Sequence, residues 1–360
     1  MKVIITAGGT GGHIYPALSI INELKVHEKD LEILFIGTHN RMEKDIIPAR
    51  DIPYESLEIY GLSKKDLFQN FKNIHLVIKA TKKSKKIMKE FNPDIVIGVG
   101  GYVTYPVIKA ANALNIPTMI HEQNKIPGKS NKLLGKMVDA IAVSFPSSKD
   151  YFEPEKVVVT GNPCGETALK TKPITKKSLG ITSRKKLVTI VAGSLGSQTL
   201  NDKIVSFLKG CKNENFEVIY ITGKSFYASK RKFSENVHVL SYLDNLAGLM
   251  KNTDVLISRA GASTISEIIA LQVPSILIPS PYVANNHQYY NALDLHKNKA
   301  CELIQEKDLT NETLMSTVKK LLEDEKYYEQ KKKNLKKLEQ KDSAKSIYKL
   351  IKELTKWLKH

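Results

Sequence analysis

The chain reads as an α/β protein built from two doubly wound domains that face each other across a cleft. Three observations predict this. Apolar, β-branched runs alternate with helical patterns from end to end, as in a parallel sheet covered by helices on both faces. The 360 residues exceed the roughly 100–200 of one ordinary domain. The alternation also restarts halfway. Val3-Ile4-Ile5-Thr6-Ala7-Gly8-Gly9-Thr10-Gly11-Gly12 and Val188-Thr189-Ile190-Val191-Ala192-Gly193-Ser194-Leu195-Gly196-Ser197 agree at five of ten positions. Each opening is a strand, a glycine turn and a helix. Ligands of such sheets bind beyond the carboxyl ends of the strands, so both glycine turns belong on the cleft.

In order, strands are expected over 2–6, 32–36, 94–99, 117–120, 140–143 and 157–160, with helices over 16–27, 73–90 and 105–114 between them. The second series puts strands over 186–192, 217–222, 236–240, 254–258, 275–279 and 300–304, and helices over 200–209, 264–271 and 286–296. Residues 161–182, rich in Pro, Thr, Gly and Lys, read as the linker. Leu335, Leu338, Ile347, Leu350, Ile351, Leu354 and Leu358 recur at helical spacing in a final lysine-rich segment.

Composition narrows the class. A hydrophobic fraction of 42% and a charged fraction of 26% exclude disorder, collagen and a disulfide-rich scaffold. Cys164, Cys211 and Cys301 lie far apart without a CxxC pair, which suits a reducing cytosol and offers no zinc site. The opening apolar run is too short for a signal peptide. The longest uncharged stretch, 95–108, is interrupted by Gly98, Gly100, Gly101 and Pro106, so it is no membrane span. Of the net +18, residues 64–89 carry +8 and residues 326–360 another +8. Such a surface attracts nucleic acid, anionic lipid or acidic substrates; solvated helix faces are the plainer explanation. No nucleic-acid-binding signature accompanies the charge.

Four segments carry candidate chemistry. Gly8-Gly9-Thr10-Gly11-Gly12-His13 holds four glycines and a histidine, more than a tight turn needs. Glycines let a ligand approach the backbone, and a helix N-terminus offers N–H groups to an anion. It is neither a P-loop nor a dinucleotide fingerprint: Ile14 replaces the third glycine, and no acid follows the second strand. His121-Glu122-Gln123-Asn124 suits either a hydroxylated ligand or a solvated loop. In Ser258-Arg259-Ala260-Gly261-Ala262-Ser263-Thr264-Ile265-Ser266-Glu267, Glu267 either meets a ribose diol or closes a capping box with Thr264. Asn285-Asn286-His287-Gln288 either reads sugar hydroxyls or caps a helix. HExxH, GxSxG and EF-hand patterns are absent, against hydrolase and metal-centred readings.

Taken with Gly100-Gly101-Tyr102, Gly161-Asn162-Pro163 and Gly193-Ser194, these segments occur in the order of one family. The chain resembles the MurG-type N-acetylglucosaminyltransferases of bacterial peptidoglycan synthesis over essentially its whole length. The resemblance implies a GT-B fold of two Rossmann-like domains, 1–162 and 163–340, with a last helix near 341–360 returning to the first. It implies transfer of GlcNAc from UDP-GlcNAc to lipid I (undecaprenyl-pyrophosphoryl-MurNAc-pentapeptide), inverting the donor linkage and giving lipid II at the cytoplasmic face of the membrane. The first domain takes the acceptor and the second binds UDP. Other enzymes of this fold, a glycolipid synthase or a 2-epimerase, are the alternatives; the pairing of the first glycine loop with 121–124 argues against them.

Carried over by position, the backbone of Leu243 would meet uracil and Glu267 the ribose. Ser194 and the amides near Ala262 would hold the diphosphate. His287 and Gln288 would read GlcNAc, with Thr10, Gly11, Gly12 and Asn124 completing the site. Helix-terminal amides can hold a diphosphate without a divalent metal, so no cofactor is expected for donor binding. His13 is the candidate general base, with Glu122 as runner-up. Three departures stand out. Gly165 replaces an arginine, for whose charge Arg259 is a candidate substitute; Leu195 replaces a polar residue; Tyr105 replaces a small one. Expected partners are UDP-GlcNAc, lipid I, an anionic lipid surface and other cell-wall synthesis proteins, and no nucleic acid. Phe68 and Phe71, followed by Lys82, Lys83, Lys85 and Lys86, form the expected peripheral membrane anchor.

Overall fold

The computed structural model describes residues 1–61, 67–192, 198–223 and 232–356. The chain divides into two compact units, Met1–Pro163 with Lys341–His360, and Cys164–Gln340.

The first unit is built on a sheet of β1 (Lys2–Ala7), β2 (Glu32–Thr38), β3 (Tyr54–Leu57), β4 (Ile95–Gly100), β5 (Thr118–Glu122), β6 (Ala140–Val143) and β7 (Val157–Val159). Their spatial order is β3-β2-β1-β4-β5-β6-β7, and the pairings are parallel. Alternate side chains of β1 serve opposite faces, as the pleat requires. Val3, Ile5 and Ala7 pack with Ile14, Ala17 and Ile21 of the helix Gly11–His27. Ile4 packs on the other face with Val96, Ile120 and the helix Thr104–Asn112. A central strand buried on both sides must be apolar throughout, which is why these runs stood out. The sequence reading missed β3. Tyr54-Glu55-Ser56-Leu57 is an edge strand with two polar residues of four, so no apolar run announces it.

The second unit repeats the plan with β8 (Lys186–Val191), β9 (Phe216–Ile221), β10 (Val237–Leu240), β11 (Val255–Ser258), β12 (Ser275–Leu277) and β13 (Glu302–Leu303). The order is β10-β9-β8-β11-β12-β13, the same reversal beside the first strand of the unit. The expected linker is partly part of this unit. Helix Cys164–Lys170 lies against helix Ala262–Leu271, and Ile181 joins a core cluster with Leu187. A Cβ at Gly165 would stand 3.0 Å from Ser266 O, so small residues set this close contact.

The lysine-rich end, whose pattern fits one helix or two, forms two. Glu325–Leu338 stays with the second unit. Ser343–Lys356 belongs to the first, where Ile347, Leu350 and Ile351 join the β1 face of the core. There the Tyr348 hydroxyl and the Lys352 ammonium both donate to Glu28 Oε1, at 2.7 and 2.8 Å. The His27 ring stacks on Tyr348 with centroids 4.4 Å apart. Burial alone would raise the Glu28 carboxyl; the bonds from Lys352 and Tyr348 outweigh it and hold the group below its ordinary value.

Ile347 has no exposed surface. Ile347→Ala is expected to cost about 2–5 kcal/mol, the usual range for emptying such a site, read from urea unfolding. Unchanged stability would mean that this helix does not contribute to the first core.

Candidate functional site

In both sheets the strand order reverses at the first strand of the unit, and ligand crevices of doubly wound sheets open at such points. In the first unit this lies between β1 and β4. The Gly8 N–H donates to Gly100 O at 3.1 Å, tying the two strand ends together. The helix Gly11–His27 starts at once, earlier than expected, so Gly11 and Gly12 form its first turn. Thr10 is the N-cap residue and is exposed, and its side chain makes no cap bond. His13 Nδ1 lies 2.9 Å from Gly8 O. A carbonyl can only accept, so Nδ1 carries a proton, and in the neutral ring the lone pair is then on Nε2. Gly100, at φ +114°, makes room for the ring; a Cβ there would lie 2.6 Å from His13 Cδ2.

The end of β5 differs from the expectation of four side chains offered to a ligand. His121, Glu122 and Gln123 are buried; Asn124 is partly exposed. His121 Nε2 donates to Gly161 O at 3.1 Å, and its Nδ1 accepts from Gln123 Nε2 at 2.9 Å. Desolvation holds this imidazole down at about 4, against the opposing Gly161 bond, so it stays neutral. Gln123 Nε2 also reaches Val99 O at 2.9 Å. The Glu122 carboxylate accepts from the Asn124 N–H at 2.9 Å, Asn124 Nδ2 at 3.2 Å, the Gly128 N–H at 3.0 Å and Asn131 Nδ2 at 2.9 Å. It shapes the loop from β5 to the helix Lys129–Leu134.

In the second unit, Ser194 lies outside the described residues. After β11, the helix Ala262–Leu271 has Gly261 as its N-cap, without a side-chain cap bond. Thr264 is therefore inside the helix, and the capping box does not form. Ala262 opens the first turn, and Glu267 lies over a turn further on. Glu267 keeps some contact with solvent, yet desolvation by the atoms around it pushes its carboxyl up to about 7. Arg259 is not available as a substitute cation. Its guanidinium meets Glu306 Oε2 at 2.5 Å and Ile278 O at 3.2 Å. Leu243 follows β10 and packs, partly buried, against the core cluster of Ile181, Leu187, Ile219, Ile221 and Leu249. Asn285 and Asn286 adopt left-handed backbone, φ +54° and +50°, before the helix His287–Lys297. Asparagine tolerates that conformation; the Asn286 side chain makes no cap bond. His287 Nδ1 donates to Ala284 O at 2.8 Å, and Gln288 Oε1 accepts the Ser280 N–H at 2.9 Å.

The sequence reading missed one residue at this site. Glu43 is fully buried beneath the first glycine loop, where the Gly9 N–H donates to it at 3.1 Å. It sits in a polar stretch after β2 where no spacing marks burial.

Family models match both halves: the glycosyltransferase family 28 N-terminal domain over residues 3–143 and the C-terminal domain over 187–347. The UDP-N-acetylglucosamine--N-acetylmuramyl-(pentapeptide) pyrophosphoryl-undecaprenol N-acetylglucosamine transferase of Bacillus licheniformis is 41% identical, covering 98% of this chain and 99% of its own. Its counterpart from Bacillus cytotoxicus is 40% identical over 99% of this chain and 100% of its own. Among solved structures, MurG of Acinetobacter baumannii superposes with a TM-score of 0.76 at 27% identity, over 98% of this chain and 99% of that one. UDP-GlcNAc 2-epimerase from Neisseria meningitidis reaches 0.70 at 16% identity, over 98% and 100%, a likeness of fold alone.

The raised Glu267 carboxyl has a stability consequence. The folded chain binds this proton more tightly than the unfolded chain, so the stabilisation is full below the ordinary value of 4.5 and is lost as pH rises through about 7. Relative to Glu267→Gln, the wild type should lose stability across that window in urea titrations. Parallel pH dependences would contradict the desolvated setting.

Proposed function

This chain belongs to the family 28 glycosyltransferases of the MurG type, and we infer from that membership that it transfers GlcNAc from UDP-GlcNAc to lipid I, giving lipid II. The observation that carries this is identity near 40% with such transferases across 98–99% of the chain, both units included. The 2-epimerases share the fold at 16% identity.

An inverting displacement needs the acceptor hydroxyl to attack the anomeric carbon from the face opposite the UDP, losing its proton as it does so. His13 suits the base: its Nδ1–H is held by Gly8 O, which leaves the lone pair of the neutral ring on Nε2. The four bonds that Glu122 accepts, three from the loop after it and one from Asn131 of the next helix, favour a positioning role for it. On the second unit, the first-turn amides at Ala262, with Ser194, are the proposed diphosphate contacts. Glu267 takes the ribose diol and the backbone of Leu243 the uracil. His287 and Gln288 read GlcNAc; Gln288 Oε1 holds the Ser280 N–H, which orients its amide nitrogen towards a hydroxyl acceptor. Thr10, Gly11, Gly12 and Asn124 are the proposed UDP-GlcNAc contacts of the first unit.

The acceptor's polyprenyl chain keeps it in the bilayer, so the enzyme works at the membrane. No described helix is long and apolar enough to cross one. We assign docking, at the cytoplasmic face, to the helix Leu67–Phe91. Ile74 and Ile78, one turn apart, are 51% and 52% exposed. Lys82 and Lys86 continue that stripe at the same spacing and are exposed. Lys83 turns instead to Glu55 at 3.0 Å, and Lys85 is half-buried. The side chains of Phe68 and Phe71 lie outside the described residues.

Two outcomes test this reading. With radiolabelled UDP-GlcNAc and a lipid I analogue, His13→Ala should lower turnover roughly 10²–10⁴-fold, while calorimetric UDP affinity stays unchanged; full turnover would remove His13 from the role. Wild type should sediment with vesicles containing anionic lipid, less so at high salt. Replacing Ile78 with Ser and Lys82 and Lys86 with Gln should weaken that binding roughly tenfold or more, each lysine contributing about 1 kcal/mol. Undiminished sedimentation would place the anchor elsewhere.

A further inference from the structure

Gly8 O and Gly9 N belong to one peptide group, and both of its polar atoms are engaged. The Gly9 N–H donates to Glu43 Oε2 at 3.1 Å. The Gly8 carbonyl accepts from His13 Nδ1 at 2.9 Å. Glu43 has no exposed surface and lies at the start of the short helix Glu43–Ile46. Its other oxygen accepts the Thr38 N–H at 3.1 Å and the Thr38 hydroxyl at 2.6 Å. The glycines around it have no Cβ to spare: one at Gly8 would stand 2.6 Å from Glu43 Oε1, and one at Gly37 2.8 Å from Glu43 Cγ. A buried carboxylate is costly unless donors surround it. Here three donors surround it, and one of them is the N–H of the peptide whose carbonyl accepts from His13.

We propose that Glu43 is a positioning residue that acts on His13 through the Gly8–Gly9 peptide, forming a carboxylate–peptide–imidazole relay. A peptide group is conjugated, so a carboxylate bound at its N–H increases the negative charge on its carbonyl oxygen. That oxygen then holds the imidazole in the Nδ1–H tautomer more firmly. It also favours the imidazolium formed when Nε2 takes the acceptor proton, as a carboxylate does by direct contact in a Ser-His-Asp triad. This rests on the reading of His13 as the base.

Other ionisable groups surround the corner. Tyr54 donates to Thr38 O at 2.6 Å, and desolvation together with Glu43 and Asp45 pushes its phenol up, so it stays protonated. His39 pairs with Tyr60 at 3.2 Å beyond Thr38. Tyr15 follows on the helix of His13, and Tyr102 follows β4. Among the described residues, Glu43 is the acid that hydrogen bonds connect to His13 through the Gly8–Gly9 peptide.

The test is ¹⁵N-histidine NMR of full-length wild type and Glu43→Gln, with His13 assigned by its loss in His13→Ala. In wild type above the imidazole titration, the proton should sit on Nδ1; an Nε2–H tautomer overturns the proposal. Glu43→Gln should lower the His13 titration midpoint by about one pH unit. It should also cut kcat roughly tenfold, move the acid limb of kcat down with the midpoint, and leave KM for UDP-GlcNAc within about twofold. A less stable variant whose His13 midpoint is unmoved overturns it. If the midpoint moves and the acid limb does not, the relay stands and the assignment of His13 as base falls. Should Glu43→Gln not fold, wild type still decides: the Gly9 amide proton must titrate with the His13 midpoint, and an amide indifferent to it contradicts the relay.

Discussion

The hydrogen bond from the Gly8 N–H to Gly100 O joins the ends of β1 and β4 where the strand order reverses. It brings two glycine turns so close that a side chain at Gly8 would strike Glu43 and one at Gly100 would strike His13. The helix must then begin within a few residues, since Ile14, Ala17 and Ile21 have to reach the core beside Val3 and Ile5. His13 is thereby fixed on the first turn of a 17-residue helix whose buried face is packed. In the role proposed for it, His13 is held by the scaffold through a packed helix, as a proton transfer confined to hydrogen-bond distance requires.

The polar residues at the strand ends divide by burial. His121, Glu122 and Gln123 spend their hydrogen bonds on Gly161, Val99 and the loop to Asn131, forming a frame. Asn124 and Thr10 stand at the surface of that frame. On the second unit, Arg259 is likewise spent on Glu306. The helix beginning at Ala262 has no side-chain cap bond, so on the proposed reading its N-terminus is what meets the diphosphate.

Much of this was legible in the sequence, for a physical reason. Strands buried on both faces are largely apolar, and β4 and β6 are so along their whole length, while β5 turns polar at His121 and Glu122. Where that constraint lapses, so does legibility: β3 is a polar edge, and helix Cys164–Lys170 packs through Gly165 and Ala168 rather than a stripe of large residues. The first glycine loop was visible because glycines are costly in a helix and seldom cluster without cause. Polarity at 121–124 was visible too, but composition does not say which way a side chain points. Thr264 and Glu267 have capping-box spacing, yet the turn after β11 ends early and Gly261 takes the cap. Glu43 was silent, because its partners lie 34 and 5 residues away in sequence and meet it only after folding.

The account turns on one base removing a proton from an acceptor that attacks opposite the departing UDP. The anomeric configuration of the product reports that directly. UDP-GlcNAc, whose sugar is α-linked, should be turned over with a soluble lipid I analogue and the new linkage read by proton NMR. A β-linked GlcNAc, seen as a large coupling between its first and second ring protons, is the predicted result. An α-linked product would mean that the acceptor does not attack opposite the departing UDP, and would contradict the single displacement in which His13 is given its role.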